Sequence, residues 1–245
     1  ALAAFALCAP AQAPDVRVVG SPGGSYATIQ QAVDAALDGD IVLVRAGTYP
    51  GPVVVDGKGL TIVADRQNVV AVAGPVVLQN TAAGQTIVLE RIAANAVGDF
   101  THGLTVRKCQ GPVRIVGGEF RGDHGYNPYP EPPDSHPDGW AGVYVSNCDN
   151  VSLSGVKAYG GGGGDVWDWW QEYPTGAGGA GVFVRSTRVS LTGSEARGGY
   201  GGSCYDVANL DGGPGGDGLY TTGGTVYASG TRLAGGRGGH GGDAG

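Results

Sequence analysis

The segment from Arg121 to Trp140 gathers the side chains of the protein that most suggest chemistry. Asp134, His136 and Asp138 alternate within it, Asp123 and His124 lie upstream, and Arg121 stands at its start. Two carboxylates so placed can serve as general acid and base in glycoside cleavage, and an arginine can neutralise a uronate carboxylate. Aspartate and histidine at this spacing can equally ligate a cation. Five prolines among clustered acids are also the composition of an extended, solvated loop. The residues alone leave all three readings open.

A second segment, Gly160 to Pro174, carries Trp167, Trp169, Trp170 and Tyr173, so that with Trp140 the four tryptophans fall in two neighbouring stretches. Indoles flanked by acids and amides suit pyranose rings, whose C–H faces are apolar and whose hydroxyls need hydrogen bonds. The same rings can instead fold down over their own glycine-rich loop. Glycine motifs point elsewhere again. Gly160–Asp168 and Gly212–Tyr220 both fit the Gly-Gly-x-Gly-x-Asp-x-U-x calcium nonapeptide, making Asp165, Asp168 and Asp217 candidate calcium ligands. Calcium-binding nonapeptides stand in tandem, however, and these copies are far apart. Gly235–Asp243 reads better as a period of three, the repeat of a polyproline-II helix, whose glycines admit a neighbouring backbone. Loops of this type can form a second packed layer with a structural role.

The elements that position these segments follow from composition and repetition. Glycine supplies 49 of 245 residues, yet 41% are hydrophobic, enough for a buried core. A formal net charge of −7 and only three lysines (Lys58, Lys108, Lys157) disfavour nucleic acid and anionic membrane as partners. Residues 1–13 form an apolar run ending Ala11-Gln12-Ala13, read as the remnant of a secretory signal peptide, and no other stretch approaches a membrane span. The expected location is therefore outside the cell, with residues 14–245 as a single domain.

Short strands opening on glycine recur at Gly51, Gly74, Gly103, Gly142, Gly181 and Gly218. Each is followed by a second strand (Leu60-Thr-Ile-Val, Thr86-Ile-Val-Leu, Val113-Arg-Ile-Val, Val151-Ser-Leu-Ser, Val189-Ser-Leu-Thr, Thr225-Val-Tyr-Ala) and by a weaker third. Three strands in about 23 residues describe one coil of a parallel β-helix. Val53, Val55, Ile62, Val88, Ile115, Val143, Leu153, Val182, Leu191 and Leu219 should line its interior. The later coils carry extra residues, 122–141, 160–180 and 198–217, always after the third strand, so these loops should stack on one side. Cys109 and Cys148 each lie six residues beyond an opening glycine and should meet on adjacent coils, as a disulfide or as stacked thiols. Thr28 and Gln31 form a capping box, Ile29, Val33 and Leu37 share a helical face, and Gly39 is expected at C′, so a helix should cover the N-terminal end. Gly235–Gly245 supplies no apolar cover for the other end, where the domain reads as incomplete and self-association is expected.

Ser25 to Asp40 followed by Ile-Val-Leu-Val-Arg-Ala-Gly-Thr-Tyr49 resembles the N-terminal cap of pectin-lyase-like right-handed β-helix proteins, and Gly57-Lys-Gly-Leu-Thr-Ile-Val63 is similar to their first complete coil. The resemblance implies an all-β, right-handed parallel β-helix with an N-terminal capping helix. That superfamily includes pectate lyases, polygalacturonases, pectin methylesterases and secreted repeat proteins. The chain has neither the Gln-Asp or Asp-Phe-Ile-Phe-Gly signatures of the esterases nor the Arg-x-Pro-x-x-Arg of the lyases. The leading expectation is a secreted protein whose loops bind extracellular polysaccharide or another copy of the chain. The alternative is a lyase or hydrolase acting on acidic polysaccharide through Asp134, His136, Asp138 and Arg121.

Overall fold

A computed structural model describes residues 13–65, 70–96, 101–125, 138–166, 175–205 and 211–241. Strands of three to five residues, most of them four, follow one another in a strict rota through three sheets. In the first full turn these are Ile41–Val44, Gly47–Pro50 and Val53–Asp56. Every neighbouring pair is parallel, and the sheets hold eight, seven and six strands in that order. Strands that pair only with their equivalents one turn away make a solenoid, so the fold is the expected parallel β-helix.

Each strand alternates inward and outward residues, as in Val53–Asp56, where Val53 and Val55 are buried and Asp56 is exposed. The inward residues fuse into one continuous core running from Val19 to Ala196, with Ile62, Ile115, Leu153 and Leu191 each about 1% exposed or less. Two interior expectations need correction. Val88 faces outward, because Ile62 pairs with Leu89 rather than Val88; Ile87 and Leu89 take the inward places. All-apolar Ile87-Val-Leu89 does not reveal its own phase. Leu219, in the last turn, is only partly buried against the core.

The turns are tight because a left-handed residue follows each strand of the six-stranded sheet. Gly57, Asn80, Lys108, Asn147, Ser186 and Gly223 hold φ between 50° and 66° in successive coils. This conformation costs glycine nothing and asparagine little, so Lys108 and Ser186 are held there by the coils on either side.

The N-terminal end is closed by the helix Ile29–Ala35, with the capping box present: the Thr28 hydroxyl accepts the Gln31 N–H, and the Gln31 side-chain Oε1 accepts the Thr28 N–H. Ile29 and Val33 are buried, but the helix ends before Leu37, which is 58% exposed. Gly39 therefore serves not as C′ but in the following Leu37–Asp40 turn, with φ of 88°. Gln30 covers the first edge of the six-stranded sheet, its amide both accepting the Val54 N–H and donating to the Val54 carbonyl. A strand the sequence reading did not include, Val16–Val19, precedes the helix and pairs with Ile41–Val44. The signal-peptide assignment lies outside the described residues apart from Ala13.

The glycine-rich loops build a second structure beside the solenoid. All leave from the corner between the seven- and six-stranded sheets. The outgoing segments, 122–125, 160–164, 198–204 and 235–240, hydrogen bond to one another coil to coil, for example Gly163 N–H to Tyr200 O and Gly201 N–H to Arg237 O. The returning segments, 139–142, 177–181 and 214–218, do likewise through Gly139 to Ala177 and Gly178 to Pro214. A zigzag then ties the two layers together: Gly161 donates to Trp140, Gly179 to Gly161, Gly199 to Gly179, Gly216 to Gly199 and Gly236 to Gly216, each at 2.8–2.9 Å. A parallel set runs through Gly176, Gly202, Gly213 and Gly239, three residues displaced. Partners that recur every third residue, with no strand or helix assigned, describe polyproline-II helices packed in two layers.

Candidate functional site

On the outer face of the seven-stranded sheet the side-chain sequence is set by the coil register. Asn95, Arg121, Tyr159 and Arg197 stand in one row across four coils, and Glu119, Lys157, Glu195 and Arg232 in the parallel row. Small residues at Ala71 and Ala93 leave a depression of about 470 Å³ whose walls include Arg91, Glu119, Arg121 and Lys157. A second cavity of about 460 Å³ adjoins it where the sheet meets the outgoing glycine layer, walled by Arg121, His124, Tyr159, Arg197 and Tyr200. Asn95 and Arg121 line both, so the two form one groove that crosses several coils.

Arg121 is half exposed and stands where the two cavities meet. Its Nε and Nη2 both donate to Glu119, and its guanidinium lies over the Tyr159 ring at 4.6 Å. Arg197 similarly lies over Tyr200 at 5.9 Å. A guanidinium stacked on a ring is pre-oriented and presents its remaining donors outward, which suits a carboxylate or sulfate ligand. Exposed pairs such as Arg121–Glu119 contribute little to stability, so exchanging Glu119 for a ligand carboxylate costs little.

The other predicted residues are distributed differently. Asp138 does not share the groove with Arg121; it lies on the returning layer, where Oδ1 accepts the Ala177 N–H from the next coil at 2.8 Å. Asp123 is buried and accepts the His124 N–H, while His124 Nδ1 accepts the Gly162 N–H. Asp134 and His136 lie outside the described residues, as do Trp167, Asp168, Trp169, Trp170 and Tyr173. The residues that flank these loops are adjacent nonetheless. Thr175 donates to the Asp211 carbonyl, and Val166, Cys204 and His240 are linked coil to coil.

Asp165 accepts the Ser203 N–H at 2.7 Å in the outgoing layer, whereas Asp217 is exposed in the returning layer. Gly212–Tyr220 thus runs from a glycine segment into the strand Leu219–Thr222 rather than forming a calcium-roll turn. Among the described residues no group of three or more His, Cys, Asp or Glu side chains assembles in a metal-binding arrangement. Cys109 and Cys148 do stack on adjacent coils, both buried and both free thiols. The Cys109 N–H donates to Cys148 Sγ at 3.4 Å, and Thr187 continues the column by accepting the Cys148 N–H. The Cys109 side chain and burial push the Cys148 thiol up, against the opposite pull of the Cys109 N–H, leaving Cys109 the more acidic of the two.

No protein-family model matches the chain, and no curated protein matches it. Among solved structures, the pectin methylesterase of Aspergillus niger aligns over 89% of this chain and 87% of its own, at 14% identity and a TM-score of 0.28. That similarity is too low to carry an argument about activity. The β-helix assignment rests on the three stacked parallel sheets themselves.

A second concavity, on the six-stranded sheet, draws only Asp138 and Trp140 from the residues singled out by sequence. Tyr144, Phe183 and Tyr220 occupy one outward register position in three coils, and their rings touch edge to face at 5.2 and 5.0 Å. His102 stacks flat on Tyr144 at 4.5 Å and meets Trp140 edge-on at 5.0 Å. The signal was present in the repeat: each ring comes two residues after an opening glycine, at Gly142, Gly181 and Gly218. Burial lowers the His102 pKa to about 4, so the imidazole is neutral near neutral pH.

Proposed function

We propose that this chain is an exported β-helix protein that binds an extracellular acidic polysaccharide in the groove on its seven-stranded sheet. The observation that carries the reading is the alignment of Arg91, Arg121, Lys157 and Arg197 along two adjoining cavities in a protein whose net charge is −7. Cations concentrated in one groove of an acidic protein favour a linear polyanion there and disfavour it elsewhere. Within each row the cations stand two coils apart, Arg121 with Arg197 and Lys157 with Arg232, about 10 Å at the usual strand spacing, so a linear polyanion can meet them at intervals of about two sugar units. The groove is read as binding without turnover, because its Glu119 is engaged by Arg121 and Asp138 lies on another face.

The test is calorimetric titration with a polyuronate and with its fully methyl-esterified form. The acid should bind at least tenfold more tightly than the ester, and the difference should shrink as salt rises. Arg121→Ala combined with Arg197→Ala should abolish the preference. Equal affinity for the two polymers, or an unchanged preference in the double variant, would overturn the proposal. Release of reducing ends or unsaturated products would establish the enzymatic alternative instead.

A further inference from the structure

We propose that the cleft between the six-stranded sheet and the returning glycine layer is a second glycan site, taking an extended, uncharged hexopyranose chain. It rests on glycan recognition as the role of this protein but not on the basic groove, which lies on a different sheet.

Four features of the cleft carry the inference. Its volume is about 390 Å³, the size of a small-ligand site. Its floor is aromatic: Tyr144 and Phe183 line it, Trp140 forms a wall, and Tyr220, 45% exposed, continues the row one coil further. Rings repeated once per coil along a straight solenoid offer successive apolar surfaces to a ligand that is itself a straight succession of rings. A chain that coils, such as an α-linked glucan, cannot follow that row.

Polar groups are few and placed at the edge of this floor, as sugar hydroxyls need. His102 Nδ1 accepts the Ala141 N–H at 3.0 Å, which assigns the ring proton to Nε2 and makes that atom a donor. Asp138 lines the cleft and uses Oδ1 for Ala177, leaving Oδ2 as an acceptor. A carboxylate accepting from sugar hydroxyls is a strong, charge-assisted contact. Finally, among the described residues no lysine or arginine lines the cleft, and the one formal charge they place there is the Asp138 carboxylate. A uronate would be repelled here with nothing to neutralise it. The two faces therefore sort ligands by charge: anionic chains to the seven-stranded sheet, neutral ones to this sheet.

The experiment is a titration of the full chain with cellohexaose, maltohexaose and hexagalacturonate. Cellohexaose should bind, and maltohexaose should bind at least tenfold more weakly. Phe183→Leu, which keeps an apolar side chain over the strand, should weaken cellohexaose at least tenfold, and Phe183→Tyr should retain it. Neither change should alter hexagalacturonate binding, which reports on the basic groove, nor the urea midpoint by more than a small fraction. Absence of cellohexaose binding to the folded wild-type chain overturns the proposal, as does binding that Phe183→Leu leaves intact. Loss of hexagalacturonate binding alone would strike the basic groove and leave this site standing.

Discussion

Replacing Gly199 by alanine is expected to destabilise the protein by at least about 3 kcal/mol, the upper end of the range for overpacking. Gly199 donates to Gly179 and accepts from Gly216, so it sits inside the zigzag that joins the two glycine layers. A Cβ built on it would lie 1.9 Å from the Gly161 carbonyl oxygen and 2.5 Å from its carbon. Both are backbone atoms, which cannot turn aside as a side-chain end can. The layers must part, and parting breaks hydrogen bonds that have no replacement in the interior. Gly84→Ala is the matched control, since nothing lies within 4 Å of its Cβ position and its φ is not positive. It should be neutral or slightly stabilising, because alanine has fewer unfolded conformations to lose. Urea unfolding of the two variants checks the contrast; similar midpoints would mean that the glycine layers are not packed as described.

The second large effect is a loss of stability on acidification that belongs to His102. Its pKa is about 4 in the folded protein against the ordinary value of 6.5, and burial against Trp140 and Tyr144 is the cause. The folded state therefore binds fewer protons than the unfolded one between these values. The stabilisation is complete above pH 6.5, declines as pH falls, and is exhausted near pH 4, a total of about 3 kcal/mol. A protonated ring would also lose the Nδ1 acceptor that Ala141 uses, disturbing the wall of the aromatic cleft. His102→Gln keeps an acceptor but cannot titrate. The stability difference between wild type and this variant should therefore shift by about 3 kcal/mol between pH 7 and pH 4. Parallel pH profiles would contradict the assignment. The Asp40 carboxyl, held below its usual range by the Leu37 and Asp15 N–H groups and by Arg17, loses its contribution only at lower pH.

The solenoid was legible because each coil repeats an opening glycine and two short apolar strands, a signal that no single strand needs to carry. Its phase was legible where polar residues alternate, as in Val151-Ser-Leu-Ser154, and failed at Ile87-Val-Leu89, where every residue is apolar. The capping box marked the start of the helix, but at its end the Val33 and Ala36 carbonyls accept from the ammonium of Lys58, a partner more than twenty residues away that local periodicity does not display. The site was read less well, for a reason inherent in loops. Arg121 and Asp138 belong to one segment in sequence, yet the first ends a strand of the seven-stranded sheet while the returning layer carries the second beside the six-stranded sheet. Adjacency there depends on hydrogen bonds between residues 38 or 39 apart, which local spacing does not display. The aromatic row needed the opposite step, comparing the same position in successive coils.

Both binding faces depend on the glycine segments forming two packed, hydrogen-bonded layers beside the β-helix. Amide hydrogen exchange followed residue by residue tests this most directly. The amides of Gly161, Gly179, Gly199 and Gly216 should be protected to about the same degree as those of strand residues such as Leu153 and Leu191, since each donates within the layers as the strands do within the sheets. Exchange of these glycine amides at the rate of an unstructured chain, with the strands still protected, would contradict it.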